Sequence, residues 1–228
     1  MLGTLEWLAL EAKYIDRSQA FYEAFLDLTV RRENEVEVAF AAGDPDLILR
    51  SPGGVPRGGV HTHYALSIPA PEYDQWYDRL DDRFDLVEHT FGDSASLYFY
   101  DPDGNCVELG QSSVDGPGID GIFEVVLEVE SIDRAVPFYE AIGFETVDRG
   151  KERTRVRMTT GSLALELWEP HLGIADARGG LHVDFGVAAD DPAAIADRVA
   201  DDARRIKETE EGVRVVDRDG HYLSLVEH

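Results

Sequence analysis

The chain has 228 residues, 46 of them acidic and 21 basic, for a formal charge of −25 and a pI near 4.4. That length suits one large domain or two of about 110 residues each, and 43% apolar residues can supply real cores. No apolar run approaches the roughly 18 residues that would span a membrane, the charge excludes the basic face that nucleic acid requires, and a single cysteine, Cys106, excludes an internal disulfide.

The opening stretch "MLGTLEWLALEAKY" has no basic n-region and no small-residue cleavage site. Together with the lone cysteine it gives the expectation of a cytoplasmic protein. "LEWLALEA" (5–12) reads as a strand and "YIDRSQAFYEAFLDLTV" (14–30) as a helix opened by an Asp16 cap. "EVEVAFAA" and "DLILR" follow as strands, and "RSPGGVPRGG" (50–59) as a joint. A strand "THYALSIP" (62–69), a helix "PEYDQWYDRLDDR" (71–83) and a hairpin "SLYFYDPDGNCVELG" come next, closed by the joint "SSVDGPGIDG" (112–121).

The second half repeats this order. "IFEVVLEV" (122–129) is a strand, and "SIDRAVPFYEAIGFETV" (131–147) a helix with an Asp133 cap and an early Pro137. "TRVRMTT" and "LALELWE" are strands, and "EPHLGIADARGG" (169–180) a joint. "LHVDFGVAA" (181–189), "DPAAIADRVADDA" (191–203) and "VRVVDRDGHYLSLVEH" (213–228) close the chain as strand, helix and hairpin. The two "FYE" helices share Ile-Asp-Arg, Phe-Tyr-Glu-Ala and Thr-Val at a constant offset of 117 residues. Asp103-Gly104 and Asp219-Gly220 mark the two hairpins. Four βαβββ modules result, over 1–56, 57–114, 115–174 and 175–228. They group into domains 1–114 and 115–228 of an α+β fold.

Paired βαβββ modules, the "FYE" helices and "DPDGNCVEL" resemble the vicinal oxygen chelate superfamily, which includes glyoxalase I, extradiol dioxygenases and bleomycin or fosfomycin resistance proteins. The resemblance covers essentially the whole chain. It implies that the modules pair into two half-barrel cups, with metal ligands projecting inward from the first and last strands of each module. Alternation agrees: in "EVVLEV" Glu124, Val126 and Glu128 share one face, and the apolar Val125, Leu127 and Val129 the other.

Aligning the modules fills the family's eight ligand positions with Trp7 and Ile48, His63 and Glu108, Glu124 and Glu166, and His182 and Ser224. Modules two and three thus offer His63, Glu108, Glu124 and Glu166, all able to bind a metal. Module one offers none, and module four a histidine and a serine. Pairing two with three and one with four would make one cup a complete site and leave the other without one. Sequential pairing would instead join Glu124, Glu166 and His182. His61 lies two residues before His63 on the same face, and reads better as a surface residue at the strand entry. His89, His171, His221 and His228 read as loop, turn or terminal residues, the "FYE" aromatics as core, and Cys106 as an inert thiol.

One imidazole and three carboxylates suit one divalent ion, Mn, Fe, Co, Ni or Zn. The resemblance implies a metal-dependent enzyme of glyoxalase, isomerase or lyase type, binding a small substrate through two adjacent oxygens, with Glu108 as the base. Glu124 departs from the glyoxalase pattern, which has an amide or histidine at that place. An Fe(II) extradiol dioxygenase is the alternative, short of a second histidine, and a non-enzymatic binder resembling bleomycin-resistance proteins is a third reading. A monomer or homodimer with no nucleic-acid or membrane partner is expected. Acidic composition with only Lys13, Lys151 and Lys207 as lysines resembles proteins of salt-loving organisms, whose molar salt screens such charge.

Overall fold

The computed structural model describes residues 1–52, 63–151, 154–170 and 183–227. His61, His171, His182 and His228 lie outside them. Module one comprises β1 (Leu2–Glu11), α1 (Ile15–Leu26), β2 (Thr29–Glu33), β3 (Glu37–Ala41) and β4 (Asp46–Arg50). Module two comprises β5 (Tyr64–Pro69), a 3-10 turn (Ala70–Glu72), α2 (Tyr73–Asp81), β6 (Val87–Phe91), β7 (Ser94–Tyr100) and β8 (Cys106–Ser112). Module three has β9 (Gly121–Glu128), α3 (Ile132–Ile142), β10 (Glu145–Arg149), β11 (Arg155–Thr159) and β12 (Ala164–Trp168). Module four has β13 (Asp184–Ala189), α4 (Pro192–Asp197), β14 (Arg205–Thr209), β15 (Gly212–Val216) and β16 (Tyr222–Glu227).

The strands form two eight-stranded half-barrel sheets. One has the order β14-β15-β16-β13-β1-β4-β3-β2, built from modules four and one. The other runs β10-β11-β12-β9-β5-β8-β7-β6, built from modules three and two. This is the crossed pairing that the distribution of metal-binding side chains favours. In three modules the first and last strands pair parallel (β5 with β8, β9 with β12, β13 with β16), and the hairpin strands pair antiparallel. The four strands that directly follow the helices, β2, β6, β10 and β14, end the sheets and are almost wholly exposed.

The described residues fall into two compact units, 9–52 with 63–123, and 1–8 with 124–227. In the first, Phe21, Phe25, Phe84 and Phe99 stack at centroid distances of 5.0 to 6.3 Å, joining α1 to module two. The Tyr22 hydroxyl donates to Asp101 Oδ2 at 2.8 Å and lies 2.7 Å from the Tyr64 hydroxyl. Asp101 Oδ1 accepts from the backbone N–H groups of Asp103 and Asn105, so the turn is closed around this one carboxylate. Asp103 in turn accepts from Lys13 N at 3.0 Å and from the Ser18 hydroxyl.

The second unit repeats the arrangement. Tyr139 donates to Asp217 Oδ2 at 2.8 Å, and Asp217 Oδ1 accepts from Gly220 N and His221 N at 2.7 and 2.8 Å. Asp219 accepts from Glu130 N at 2.7 Å. The "FYE" tyrosine and the Asp-x-Asp-Gly turn are therefore two halves of one latch. His221 is buried in this unit. Its Nδ1 accepts from Val183 N at 3.0 Å, which leaves Nε2 to donate to Glu128 O at 2.7 Å.

One local expectation is corrected. The helix caps are Tyr14 and Ser131, neither with a side-chain cap bond. Asp16 and Asp133 sit inside the first turn, where a carboxylate acts on the exposed N–H groups by charge rather than as the cap. The Asp-Gly hairpins form as expected, β7 with β8 and β15 with β16, through five-residue loops 101–105 and 217–221 with Gly104 and Gly220 at φ of 86° and 101°.

Candidate metal centre

His63 immediately precedes β5, and Glu108 lies on β8, across the parallel pair from Ala65. The strands β5 and β8 are buried over most of their length, so period-2 alternation leaves these polar side chains on one face and Tyr64, Val107 and Leu109 on the other. His63 and Glu108 are 7% and 5% exposed, with His63 Nε2 3.6 Å from Glu108 Oε2. Tyr98 on β7 stands opposite Glu108 in register and meets the His63 ring edge-on at 6.0 Å.

Glu124 on β9 and Glu166 on β12 are equally buried, at 5% and 6%. Arg157 stands directly opposite Glu166 in the β11–β12 ladder. Its Nη1 contacts Glu124 Oε2 and lies 3.1 Å from Glu166 Oε1. Arg155 Nη1 reaches the same Oε1 at 2.9 Å, and Trp168 Nε1 donates to Glu166 Oε2 at 2.7 Å. Burial pulls the Arg157 pKa down, but the two carboxylates outweigh it and leave the guanidinium above its ordinary value.

One ligand atom from each of His63, Glu108 and Glu124 lies within 4.8 Å of the others. Among the described residues this is the one group of three or more metal-binding side chains so arranged. Glu166, the fourth residue of the expected set, is not part of it; both of its oxygens accept bonds from Arg155, Arg157 or Trp168. A buried imidazole with two buried carboxylates is a donor set that divalent transition ions accept, and clustered buried carboxylates require a compensating cation. The residues present fit such an ion.

Arg155, Arg157 and Tyr98 are absent from the sequence-based set. Alternation carries the signal for the arginines: "TRVRMTT" puts Arg155, Arg157 and Thr159 on the face opposite the buried Val156 and Met158. Cys106 behaves as expected of an inert thiol; burial, then Glu108 and Asp101, push its pKa up to about 12.

The corresponding positions of the other sheet hold no such group among the described residues. Trp7 is 9% exposed and Ile48 fully buried. The Trp7 indole lies over Gly186, where an added Cβ would come within 2.5 Å of Cε2 and Nε1. Ser224 accepts from Arg214 Nε at 3.2 Å.

The paired βαβββ half-barrel sheets are a fold shared with solved structures of glyoxalase I. Residues 4–109 match the family model described as Glyoxalase/Bleomycin resistance protein/Dioxygenase superfamily. A metallothiol transferase FosB from Staphylococcus saprophyticus is 28% identical over 116 residues, 48% of this chain and 77% of that protein. A glutathione transferase FosA from Serratia marcescens is 26% identical over 119 residues, 50% of this chain and 84% of the relative. Glyoxalase I from Zea mays shares the fold at 17% identity and a TM-score of 0.70, covering 98% of this chain and 92% of that one. Among the described residues no helix is long and apolar enough to cross a membrane.

Proposed function

We propose that this chain is a metal-dependent enzyme acting on a small substrate that offers two adjacent oxygens, of glyoxalase, isomerase or lyase type. The observation that carries the reading is the convergence of His63, Glu108 and Glu124 within 4.8 Å. These three residues hold the divalent ion, while Glu166 anchors Arg155 and Arg157. When bound, the ion supplies Lewis-acid stabilisation of a developing oxyanion. Glu108 takes up the substrate proton on a carboxylate oxygen and returns it, as a positioned general base. Tyr98, edge-on to His63, holds the imidazole in place. All three proposed ligands are buried, at 5 to 7% exposure.

A second reading, thiol transfer to a small molecule, is favoured by similarity to the Fos transferases. An extradiol dioxygenase would draw its second histidine from His61 or His182, since the described group contains one histidine.

Equilibrium dialysis against Mn, Co, Ni and Zn at high salt tests the proposal, comparing the native protein with His63→Ala and Glu108→Gln. One ion per chain is expected, its affinity lost in His63→Ala. Glu108→Gln should lower turnover of a hemithioacetal or of a thiol–epoxide pair by roughly 100-fold or more. The reading fails if the native chain binds no ion, or if His63→Ala binds it equally well.

A further inference from the structure

We infer that Arg157 is the resident counter-cation of Glu124 and competes with the divalent ion for it, so that Arg157 sets the metal affinity of the site. The inference rests on the proposed His63, Glu108 and Glu124 ligand set. One nitrogen, Nη1, contacts both Glu124 Oε2 and Glu166 Oε1, which makes the guanidinium a bridge between the two buried carboxylates of module three. Arg155 and Trp168 occupy the rest of Glu166. Glu166 is thereby committed to the arginines, and Glu124 is the carboxylate over which arginine and metal contend.

The register explains why this happens here. Arg157 is the direct cross-strand neighbour of Glu166, and its side chain is 34% exposed, so the guanidinium has room to swing outward. A divalent ion on Glu124 would face a unit positive charge at close range in a partly buried setting, where repulsion is far stronger than in water. Entry of the ion then requires Arg157 to leave Glu124 and keep Glu166 alone. In module two Tyr98 takes the cross-strand position opposite Glu108 that Arg157 takes opposite Glu166 in module three.

The test is titration calorimetry of the native protein, Arg157→Gln and His63→Ala with Zn²⁺ at fixed high salt, paired with thermal unfolding with and without the ion. Arg157→Gln should bind Zn²⁺ on the order of tenfold more tightly or better. Its metal-free form should melt lower, because the Arg157 contacts with Glu124 and Glu166 are lost, and the Tm gain on adding Zn²⁺ should exceed that of the native protein. Equal or weaker binding by Arg157→Gln, with the native protein still binding one ion through His63, overturns the role of Arg157 and leaves the proposed site standing. No binding by the native protein overturns the proposed site itself. If Arg157→Gln does not fold, the arginine Nε–H resonance of Arg157 is followed by NMR in the native protein. A large shift on Zn²⁺ addition supports displacement, and an unmoved resonance in a Zn²⁺-loaded protein refutes it.

Discussion

Tyr139→Phe isolates one bond of the latch between the α3 helix and the 217–221 turn. Tyr139 and Asp217 are 1% and 4% exposed, and the Tyr139 hydroxyl donates to Asp217 Oδ2 at 2.8 Å. Burial, and then Asp217, keep the phenol pKa well above its ordinary value, so the hydroxyl remains the donor throughout the accessible pH range. Deleting it leaves a carboxylate oxygen buried while Oδ1 retains its two backbone donors. A hydrogen bond to a charged group contributes about 1.5–3 kcal/mol, and its loss exposes the desolvation penalty of the partner. At roughly 2–4 °C per kcal/mol for a chain of this size, a loss of about 2 kcal/mol lowers Tm by roughly 4–8 °C. Tyr22→Phe should cost at least as much, since Tyr22 touches both Asp101 and Tyr64. Calorimetry at molar salt, checked by near-ultraviolet circular dichroism, reads both. A change below about 0.5 kcal/mol in both variants would refute the latch as a source of stability.

Two further outcomes follow from the same structure. Cys106, with its pKa pushed up to about 12 by burial first and then by Glu108 and Asp101, should react with a disulfide reagent at pH 8 at least about 100-fold more slowly in the native than in the unfolded chain; fast native labelling would contradict its burial. Because the folded value lies above the unfolded one, its contribution to stability is intact below about pH 9 and lost as pH rises towards about 12. As salt falls from about 1 M to 0.1 M the screening length grows from roughly 3 to 10 Å, and a chain of charge −25 should lose ellipticity; unchanged circular dichroism would count against adaptation to high salt.

What the sequence makes legible is what alternation and repetition encode. The 117-residue offset exposes the modules, alternation gives the strand faces, and the family resemblance adds the ligand positions, which is how His63, Glu108 and Glu124 enter the expected set. The strands β2, β6, β10 and β14 carry no such signal, because an exposed edge strand has no buried face to impose a pattern. The caps were misplaced by two residues because an acidic residue in the first turn and one at the cap look alike in sequence. Glu166 resembles a free ligand in one dimension. Only the register that sets Arg157 opposite it, with Arg155 and Trp168 alongside, reveals its engagement. His221 looks like a turn residue, yet the sheet buries it as a tie between backbone groups of Val183 and Glu128.

The two Asp-x-Asp-Gly turns are alike for a reason separate from the difference between Glu108 and Ser224. Both aspartates of each turn have structural duties: the first accepts from the "FYE" tyrosine, the second from a backbone N–H just beyond the first strand of the preceding module, at Lys13 or Glu130. Those duties are identical in both units, so the turn persists in both copies. The residue five positions beyond the second aspartate has no part in the latch and answers to its sheet instead. In the sheet of modules two and three it is Glu108, with His63 Nε2 3.6 Å from its Oε2. In the sheet of modules four and one it is Ser224, a neutral acceptor for Arg214, on a strand paired with the one whose Gly186 admits the Trp7 indole. A carboxylate at 224 would face a position already filled by an aromatic ring rather than by ligands. Loss of the carboxylate in one copy therefore reflects the filling of one cup, while the latch keeps both copies folded.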